Sequence, residues 1–347
     1  MRKRLFSILQ YVIFLGGGIF LVWWQFDSMN VAEKKEFYNA LNDANYWLLI
    51  PVVIMSLLSH LSRSMRWKLL MEPLGYKPKL KNVFAVTMIG YLVNAALPRF
   101  GEIVKCTFLS RYEKLKFDKL VGTIIVERTF DVICYIIFIA ITILIQINVI
   151  GSFAKEKIET VTGSAAGMPL WGKAIIIFAI IITVLYLIKL LLKRFPNNKI
   201  INKINIFLKD IIEGFKSIEH LKHKRAFILH TLFIWAMYLL QIYVGFFAME
   251  GTAHLSIKAA CSVLMVASLA MMITPNGIGM FPIFVMETLK RYHIDDPLGQ
   301  AFGSLIWGIT TSIVLLAGFL ALILLPILNR KKNEVSSSDT GEDIQPG

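Results

Sequence analysis

Residues 120–150 read LVGTIIVERTFDVICYIIFIAITILIQINVI. This apolar run is longer than the roughly 20 residues that an α-helix needs to cross the hydrocarbon core of a bilayer. Three ionisable side chains, Glu127, Arg128 and Asp131, nevertheless fall about eight to twelve residues into it. An ionisable group at the bilayer centre costs roughly 2.5–3.5 kcal/mol on insertion scales. The run therefore predicts a membrane-spanning helical bundle with an ionic site facing its interior.

The composition of the whole chain agrees with a membrane protein. Of its 347 residues, 56% are hydrophobic and 17% are charged, and the mean hydropathy is +0.64. Soluble domains are typically about 45–50% apolar and about 25% charged. These values exclude a disordered chain, a fibrous protein and an ordinary soluble enzyme.

The chain is basic, with 37 Lys and Arg residues against 23 Asp and Glu residues. Basic residues collect on cytoplasmic loops and near anionic headgroups, which accounts for this excess. No soluble segment is long enough to fold as a nucleic-acid-binding domain, so nucleic acid is not an expected partner.

Neither cysteines nor enzyme motifs indicate a catalytic or metal site. Cys106, Cys134 and Cys261 are odd in number and widely spaced in apolar or near-apolar runs. Neither a disulfide framework nor a zinc cluster follows from that spacing. His-Glu-x-x-His, Gly-x-Ser-x-Gly and P-loop motifs are absent from the sequence. We expect a protein that is not an enzyme and holds no cofactor and no metal.

Apolar stretches divide the chain into spans and interrupted segments. Stretches long enough to cross a bilayer are 5–25, 46–65, 120–150, 174–192, 226–249 and 301–328. Two further apolar stretches are interrupted: 83–109 at Pro98 and Gly101, and 257–289 at Pro275, Gly277, Gly279 and Pro282.

The basic residues between the spans predict how the chain is threaded. Segments 63–81 and 99–119 each carry six basic residues. If the stretch between them crossed the bilayer once, one of these segments would lie outside, against the positive-inside rule. We therefore expect 83–109 to be a re-entrant hairpin entered from the cytoplasm, and 257–289 to be a second one entered from outside. Eight plain spans kinked at Pro and Gly are the alternative, and both arrangements leave the two termini cytoplasmic.

The predicted fold class is an all-α integral membrane protein with about six full spans and two broken or re-entrant helical hairpins. A single domain over 1–328 divides into halves of about 1–150 and 171–328 with opposite topology. Inverted repeats whose broken segments fall in matching positions are typical of transporters.

Two further segments lie outside the predicted spans. An apolar stripe at helical spacing predicts an interfacial amphipathic helix over 199–222, with a soluble helix packed on other loops as the alternative. The polar tail 329–347 is predicted to be disordered and cytoplasmic.

The first break places polar residues in an apolar context: Asn94, Pro98, Arg99, Gly101, Glu102 and Lys105. Unpaired backbone groups at membrane depth are tolerated only inside protein or along a wet cavity. A helix starting near Gly101 would direct its N–H groups at the turn, which suits an anionic headgroup. Arg99 and Lys105 add positive charge, and Glu102 can pair with either. A solvated cytoplasmic loop without a ligand is the alternative.

The ionic side chains of 127–131 are predicted to form one site. Glu127 and Asp131 share a helix face, and Arg128 and Asp131 are spaced to pair. We expect them to face the bundle interior against Arg99 or the first hairpin, and to bind substrate or relay a proton. A buried ion-pair network that positions the hairpin is the alternative.

The second break contains Pro275, Asn276, Gly277 and Gly279. Its glycines allow close approach of a chain or ligand, and an extracellular loop is the alternative. Elsewhere, His60 and Arg63 lie one helical turn apart near the predicted inner end of the second span. Snorkelling or phosphate contact explains that pair.

Together these residues resemble the flippase-like transmembrane region of lysylphosphatidylglycerol synthases. The family pattern is an Asn, then Pro-x-x-Gly-Glu, a basic residue, an Arg and an Asp in the next span, and a late Pro-x-Gly-x-Gly turn. The resemblance covers about residues 5–328 and departs from the family at Pro282, where members often carry Glu. The matching residues are Asn94, Pro98, Gly101, Glu102, Lys105, Arg128, Asp131, Pro275, Gly277 and Gly279.

The resemblance implies a transporter that moves a lipid or a lipid-linked anionic substrate between the leaflets of the cell inner membrane. It implies membrane lipids, with anionic headgroups, as the partners. Lysyl-transferring members have a large cytosolic catalytic domain, and about 19 residues follow the last apolar stretch here, so lysyl transfer is not expected. Two alternatives stay open: a membrane enzyme that modifies a lipid headgroup, with Glu102 or Glu127 as general base, and a non-transporting scaffold for a soluble or membrane synthase.

Overall fold

The computed structural model describes residues 16–97, 99–146 and 221–338, and every regular element within these ranges is helical. The predicted span 174–192 lies outside the described residues, as does the predicted amphipathic helix 199–222 except for its last two positions. The α-helices are α1 (16–28), α2 (Val31–Asn42), α3 (Leu49–Met71), α4 (Leu80–Ala96), α5 (Phe100–Glu113), α6 (Phe117–Ile145), α7 (Lys224–Phe246), α8 (Ile257–Ile273), α9 (Met280–Lys290) and α10 (Asp296–Ser338).

Four helices within the described ranges are long and apolar enough to cross a membrane: α3, α6, α7 and α10. They coincide with the predicted spans 46–65, 120–150, 226–249 and 301–328, and α1 lies at the end of the predicted span 5–25. Each of the four exposes large apolar side chains, as contact with hydrocarbon requires: Ile54, Ile137, Leu232 and Ile323 are examples. The prediction of an all-α membrane protein is confirmed.

Two helices extend past their predicted ends. α3 runs to Met71, six residues beyond the predicted end of its span. α10 runs to Ser338, ten residues into the segment that was predicted to be disordered from 329 onward. That segment contains Arg, Lys and Glu, which favour helix, and neither Pro nor Gly interrupts it before Gly341. Residues 339–347 lie outside the described ranges.

Most of the described chain belongs to one compact unit. Among the described residues, this unit comprises 16–97, 99–125 and 221–338, and residues 126–146 belong to a second unit. α6 starts in the first unit and continues into the second. The hairpins and helix contacts of the following paragraphs all lie within the first unit.

α4 and α5 form an antiparallel helical hairpin at the first predicted break. At the turn, the backbone N–H of Gly101 donates to the side-chain oxygen of Asn94 (2.9 Å), and at the opposite end Asn82 Nδ2 lies 2.6 Å from Glu113 Oε1. A single helix kinked at the break would carry 82 and 113 to opposite ends, so the kinked-span alternative is wrong for this segment. The arms of 17 and 14 residues are about 25 and 21 Å long, shorter than the roughly 30 Å hydrocarbon core.

A pair of glycines brings the two arms of this hairpin into backbone contact. A Cβ atom at Gly90 would lie 3.1 Å from the Gly101 carbonyl oxygen, and one at Gly101 would overlap the Gly90 carbonyl oxygen. Only glycine therefore fits at 101, and a side chain at 90 would be tightly packed. The turn itself passes through Arg99, which has the left-handed φ of 67°.

α8 and α9 form the second helical hairpin. Ser262 Oγ and Tyr292 OH are 3.0 Å apart, which places the first part of α8 beside the chain that leaves α9. The arms have 17 and 11 residues, about 25 and 17 Å. The turn between them contains a short 3₁₀ helix, Pro275–Gly277, and takes positive φ angles at Asn276, Gly277 and Gly279. The chain therefore reverses here as well.

The order span, hairpin, span occurs twice along the chain: α3, α4–α5, α6 and then α7, α8–α9, α10. The corresponding helices α3 and α7 pack against each other in opposite directions. The Asn45 N–H donates to the Ala248 carbonyl (2.8 Å) at one end, and His223 Nε2 lies 3.8 Å from Glu72 Oε2 at the other. The predicted inverted repeat requires this order and these opposite directions.

α10 packs against both hairpins. A Cβ at Gly303 would lie 2.9 Å from Pro282 Cα on α9, and one at Gly318 would lie 3.0 Å from the Met88 carbonyl oxygen on α4. The turn Pro275–Gly277 in turn packs on α4. The tip of the second hairpin thus meets the long arm of the first beside α10.

A buried amide pair ties the base of the first hairpin to the far end of α10. Asn82 and Asn329 exchange two side-chain hydrogen bonds of 3.0 Å, and Asn82 also donates to Glu113. We expect Asn329→Leu to lower the free energy of unfolding by about 2 kcal/mol, because it leaves buried polar atoms of Asn82 unsatisfied. Thermal unfolding in detergent micelles measures the change. The exposed Asn39→Leu is the control, and an equal effect of both variants would contradict the role of the pair.

Candidate functional site

The ionic side chains on α6 form a local ion-pair chain. Arg128 lies 3.5 Å from Glu127 Oε1 and 3.7 Å from Asp131 Oδ2. The predicted pairing of Arg128 with Asp131 is confirmed. Glu127 is fully enclosed, Asp131 is 17% exposed and the Arg128 side chain is 39% exposed, with its Nε and Nη2 atoms buried.

Lys105 is buried on α5, where the first hairpin faces α3. Its ammonium group lies 3.4 Å from Glu102 Oε2 and 4.4 Å from the centre of the Trp67 ring, in a cation–π contact. Of the two partners predicted for Glu102, the structure thus pairs it with Lys105. Trp67 is held in turn by a hydrogen bond from Nε1 to Thr123 Oγ1 (2.8 Å) at the start of α6.

The tip of the first hairpin is more open than its arms. Arg99 and Phe100 are exposed, and Asn94 is half-buried where it accepts from Gly101. Pro98 lies outside the described residues. Arg99 therefore lies at the hairpin tip, whereas Lys105 lies inside the unit.

Sequence reasoning missed Arg66 and its neighbour Trp67. Arg66 is fully buried, donates to Thr231 Oγ1 on α7 (3.2 Å), and holds its guanidinium 5.6 Å from the centre of the Phe227 ring. The sequence does indicate a polar face on α3, because polar and basic residues recur at helical spacing along it: Ser56, Ser59, His60, Arg63 and Arg66.

His60 and Arg63 do not snorkel to water, contrary to one of the sequence-based explanations. They are 8% and 7% exposed. Because α3 continues to Met71, His60 lies near the middle of the helix and not at its end. Arg63 instead donates to the Tyr238 hydroxyl on α7 (3.1 Å).

The turn of the second hairpin is held rigidly. Asn276 donates to Thr311 Oγ1 (3.0 Å), and its carbonyl accepts from Trp307 Nε1 (2.7 Å), both on α10. Pro275 and Gly277 are buried within the protein at this turn.

Two buried glutamines connect the same turn to α1. Gln25 on α1 donates to the Gly279 carbonyl (3.2 Å) and accepts from Gln300 on α10 (2.8 Å). A Cβ at Gly279 would also lie 2.5 Å from the Gly18 carbonyl oxygen, so only glycine fits between the turn and α1.

The first unit thus encloses Arg66 and Lys105 on neighbouring helices beside a broken hairpin. Charges held at low dielectric attract an opposite charge far more strongly than they do in water. The arrangement is suited to an anionic group. Among the residues that the structure describes, no three His, Cys, Asp or Glu side chains are placed to hold a metal ion.

Comparison with known proteins gives the family. The family described as the lysylphosphatidylglycerol synthase TM region matches residues 7–318. A UPF0104 membrane protein of Methanocaldococcus jannaschii is 23% identical over 304 residues, which cover 82% of this chain and 87% of that protein. No solved structure matches the chain. The sequence resemblance is confirmed: the chain is a multi-pass membrane protein that belongs to the lysylphosphatidylglycerol synthase transmembrane-region family.

Proposed function

We propose that the chain is a flippase-like transporter that moves a lipid or a lipid-linked anionic substrate between the two leaflets of the membrane. The observation that carries the proposal is the enclosure of Arg66 and Lys105 beside the broken first hairpin. Ionisable side chains within membrane segments are rare, and they mark substrate or ion sites more often than not.

The headgroup is the part of the substrate that needs the protein. The acyl chains of the substrate stay in hydrocarbon, so moving them between leaflets carries little free-energy cost. The charged headgroup leaves water and therefore requires partners inside the membrane. Lys105 and Arg66 supply positive charge to a phosphate-bearing headgroup. Glu102 balances Lys105 when no substrate is bound, and on α6 Glu127 and Asp131 balance Arg128.

The hairpins supply the polar surface that continuous spans lack. Each turn interrupts helical hydrogen bonding at a place where the chain lies against other helices, which is where membrane proteins tolerate irregular backbone. In transporters built from inverted repeats, broken segments meet around the substrate site. The contact of Pro275–Gly277 with α4 supports a site between the two hairpins, formed with Asn94, Gly101 and Asn276.

We place the chain in the inner membrane with both termini cytoplasmic, and membrane lipids with anionic headgroups are its partners. The chain itself makes and breaks no covalent bond and uses no cofactor.

A leaflet-exchange assay tests the proposal. Purified protein is reconstituted into vesicles that contain phosphatidylglycerol labelled with a nitrobenzoxadiazole fluorophore, and dithionite then bleaches the label in the outer leaflet. We expect exchange well above protein-free vesicles, and a decrease of at least tenfold in the Arg128→Ala, Asp131→Ala double variant, because the ion pair next to Glu127 is lost. The matched control removes the exposed Lys290–Asp296 pair (2.8 Å) with the same substitutions.

The outcomes separate the alternatives. Equal exchange by the wild type and the Arg128, Asp131 variant would contradict the proposal. Mass spectrometry of lipids from a strain without the protein distinguishes an enzyme, whose loss removes a chemical species, from a flippase, whose loss changes only the leaflet distribution. A scaffold for a synthase would show no exchange in vesicles of purified protein.

A further inference from the structure

The start of α7 carries a cluster of positive charge that the proposed transport does not use. Residues 222–225 read Lys-His-Lys-Arg, and all four are exposed. Together with Ala226 they line one cavity of about 480 Å³. A run of charged residues is often only a solvated surface, but these side chains border a single space that can hold a ligand.

Most of this charge has no counter-charge within the described part of the protein. Among the described residues, Lys222, Lys224 and Arg225 form no ion pair, and the acid that contacts the cluster is Glu72, whose Oε2 lies 3.8 Å from His223 Nε2. Like charges that border one cavity repel each other, and an anion bound between them offsets the repulsion. The cavity is therefore suited to a ligand with more than one negative charge.

The cluster lies where a membrane-crossing helix begins. α7 is long and apolar enough to cross a bilayer, and no Asp, Glu, Lys or Arg follows Arg225 within it. Basic residues directly before an apolar span lie at the level of the lipid headgroups. Basic pockets at the ends of membrane helices bind lipid headgroups that carry several negative charges.

The face of α7 next to the cluster distinguishes a lipid from a soluble anion. Ile228, Leu229 and Leu232 come three, four and seven positions after Arg225, so they share its side of the helix. They are 47%, 65% and 61% exposed. A soluble phosphate compound would contact only the cations, whereas a phospholipid also needs an apolar surface beside its acyl chains. This face of α7 supplies both.

We propose that residues 222–225 form a binding site for a phospholipid whose headgroup carries two or more negative charges. The phosphates lie in the cavity among Lys222, Lys224 and Arg225, and the acyl chains lie along Leu229 and Leu232. The bound lipid stays at the surface of α7 in one leaflet. The inference goes beyond the proposed function and does not depend on transport.

Native mass spectrometry tests the lipid class. The full chain is purified in dodecyl maltoside and titrated with cardiolipin, which carries two phosphates, with phosphatidylglycerol, which carries one, and with zwitterionic phosphatidylcholine. We expect cardiolipin to bind about tenfold or more tightly than phosphatidylglycerol, because its second phosphate engages cations that the first leaves unpaired. Binding of phosphatidylglycerol or phosphatidylcholine as tight as that of cardiolipin would overturn the proposal.

Inorganic pyrophosphate tests whether the acyl chains matter. It carries several negative charges without an apolar part, so it should displace cardiolipin only weakly. Displacement at the same concentration as cardiolipin itself would overturn the assignment to a lipid.

A triple variant locates the binding. We expect replacement of the three unpaired cations by glutamine to weaken cardiolipin binding about tenfold or more, because the attraction to both phosphates is lost. Cardiolipin should raise the thermal midpoint of the wild type but not that of this variant, since a ligand stabilises only the protein that binds it. The substitutions are Lys222→Gln, Lys224→Gln and Arg225→Gln. All three side chains are exposed, and if the triple variant fails to fold, Arg225→Gln alone should weaken binding measurably.

The matched control removes the same amount of charge nearby. The connection between α3 and α4 starts at Glu72, beside His223, and three exposed lysines follow in it and in the first turn of α4. The control substitutions are Lys77→Gln, Lys79→Gln and Lys81→Gln, and we expect them to leave cardiolipin affinity within about twofold, since no contact of the site is removed.

Unchanged cardiolipin affinity in the variant at 222–225, or an equal loss in the control, would overturn the site. The proposed function fails separately from it. Cardiolipin binding that depends on these residues, in a protein without leaflet exchange, would refute transport and leave the site standing.

Discussion

Gly101→Ala is expected to disrupt the first hairpin and to lower the free energy of unfolding by about 3 kcal/mol, near the upper end for overpacked interiors. The added Cβ would overlap the Gly90 carbonyl oxygen and lie 2.7 Å from the Asn94 side chain. A side chain can rotate away from such a contact, but a helix carbonyl cannot, so α4 and α5 must move apart. Thermal or denaturant unfolding in detergent micelles measures the effect.

Gly122→Ala is the matched control for this prediction. Apart from its chain neighbours and the backbone of its own helix, no atom of the described residues lies within 4 Å of the position of a Cβ at Gly122, which is also helical. There the change should stabilise the protein by up to about 1 kcal/mol, since alanine favours helix over glycine. Equal stability of the Gly101 variant and the wild type would mean that the arms do not touch as described.

Lys105→Met, combined with Glu102→Gln, is expected to reduce leaflet exchange of labelled phosphatidylglycerol at least tenfold while the protein stays folded. Methionine keeps an apolar stem and a favourable sulfur–aromatic contact against Trp67, so packing is retained. The second substitution avoids leaving the Glu102 carboxylate without its partner. What the double variant loses is the enclosed positive charge.

Lys116→Met provides the control for the loss of a lysine, because Lys116 is exposed in the short connection before α6. Exchange by this variant should match the wild type. Elution as a single symmetric peak and an unchanged thermal midpoint would show that the Lys105 variant is folded. Wild-type exchange in that folded variant would refute a role for Lys105 in substrate binding.

The hairpins could be predicted from the sequence because charge and hydropathy there give the same answer. Two basic segments flank 83–109, and helix-breaking residues fall in its middle, so reversal was the arrangement that satisfied both. The pairs Arg128–Asp131 and Glu102–Lys105 were predictable for a similar reason, since spacing along one helix determines which side chains meet.

The polar surface between α3 and α7 could not be predicted in the same way. Hydropathy ends the second span at 65 because Arg66 and Lys68 follow, but Thr231 and Phe227 on α7 bury Arg66 inside the bundle. Partners that lie 165 positions away leave no trace in local spacing. The contacts of Gln25 with Gly279 and Gln300 escaped prediction for the same reason.

The crossing of Gly90 and Gly101 also limits how the first hairpin can work. Where Gly90 meets Gly101, backbone lies against backbone, so neither water nor an acyl tail fits between α4 and α5 at that point. The two helices can tilt or slide only together, because separating them would lose the dispersion contacts between them. Under the proposed transport, a headgroup would travel around the outside of these two helices and never between them.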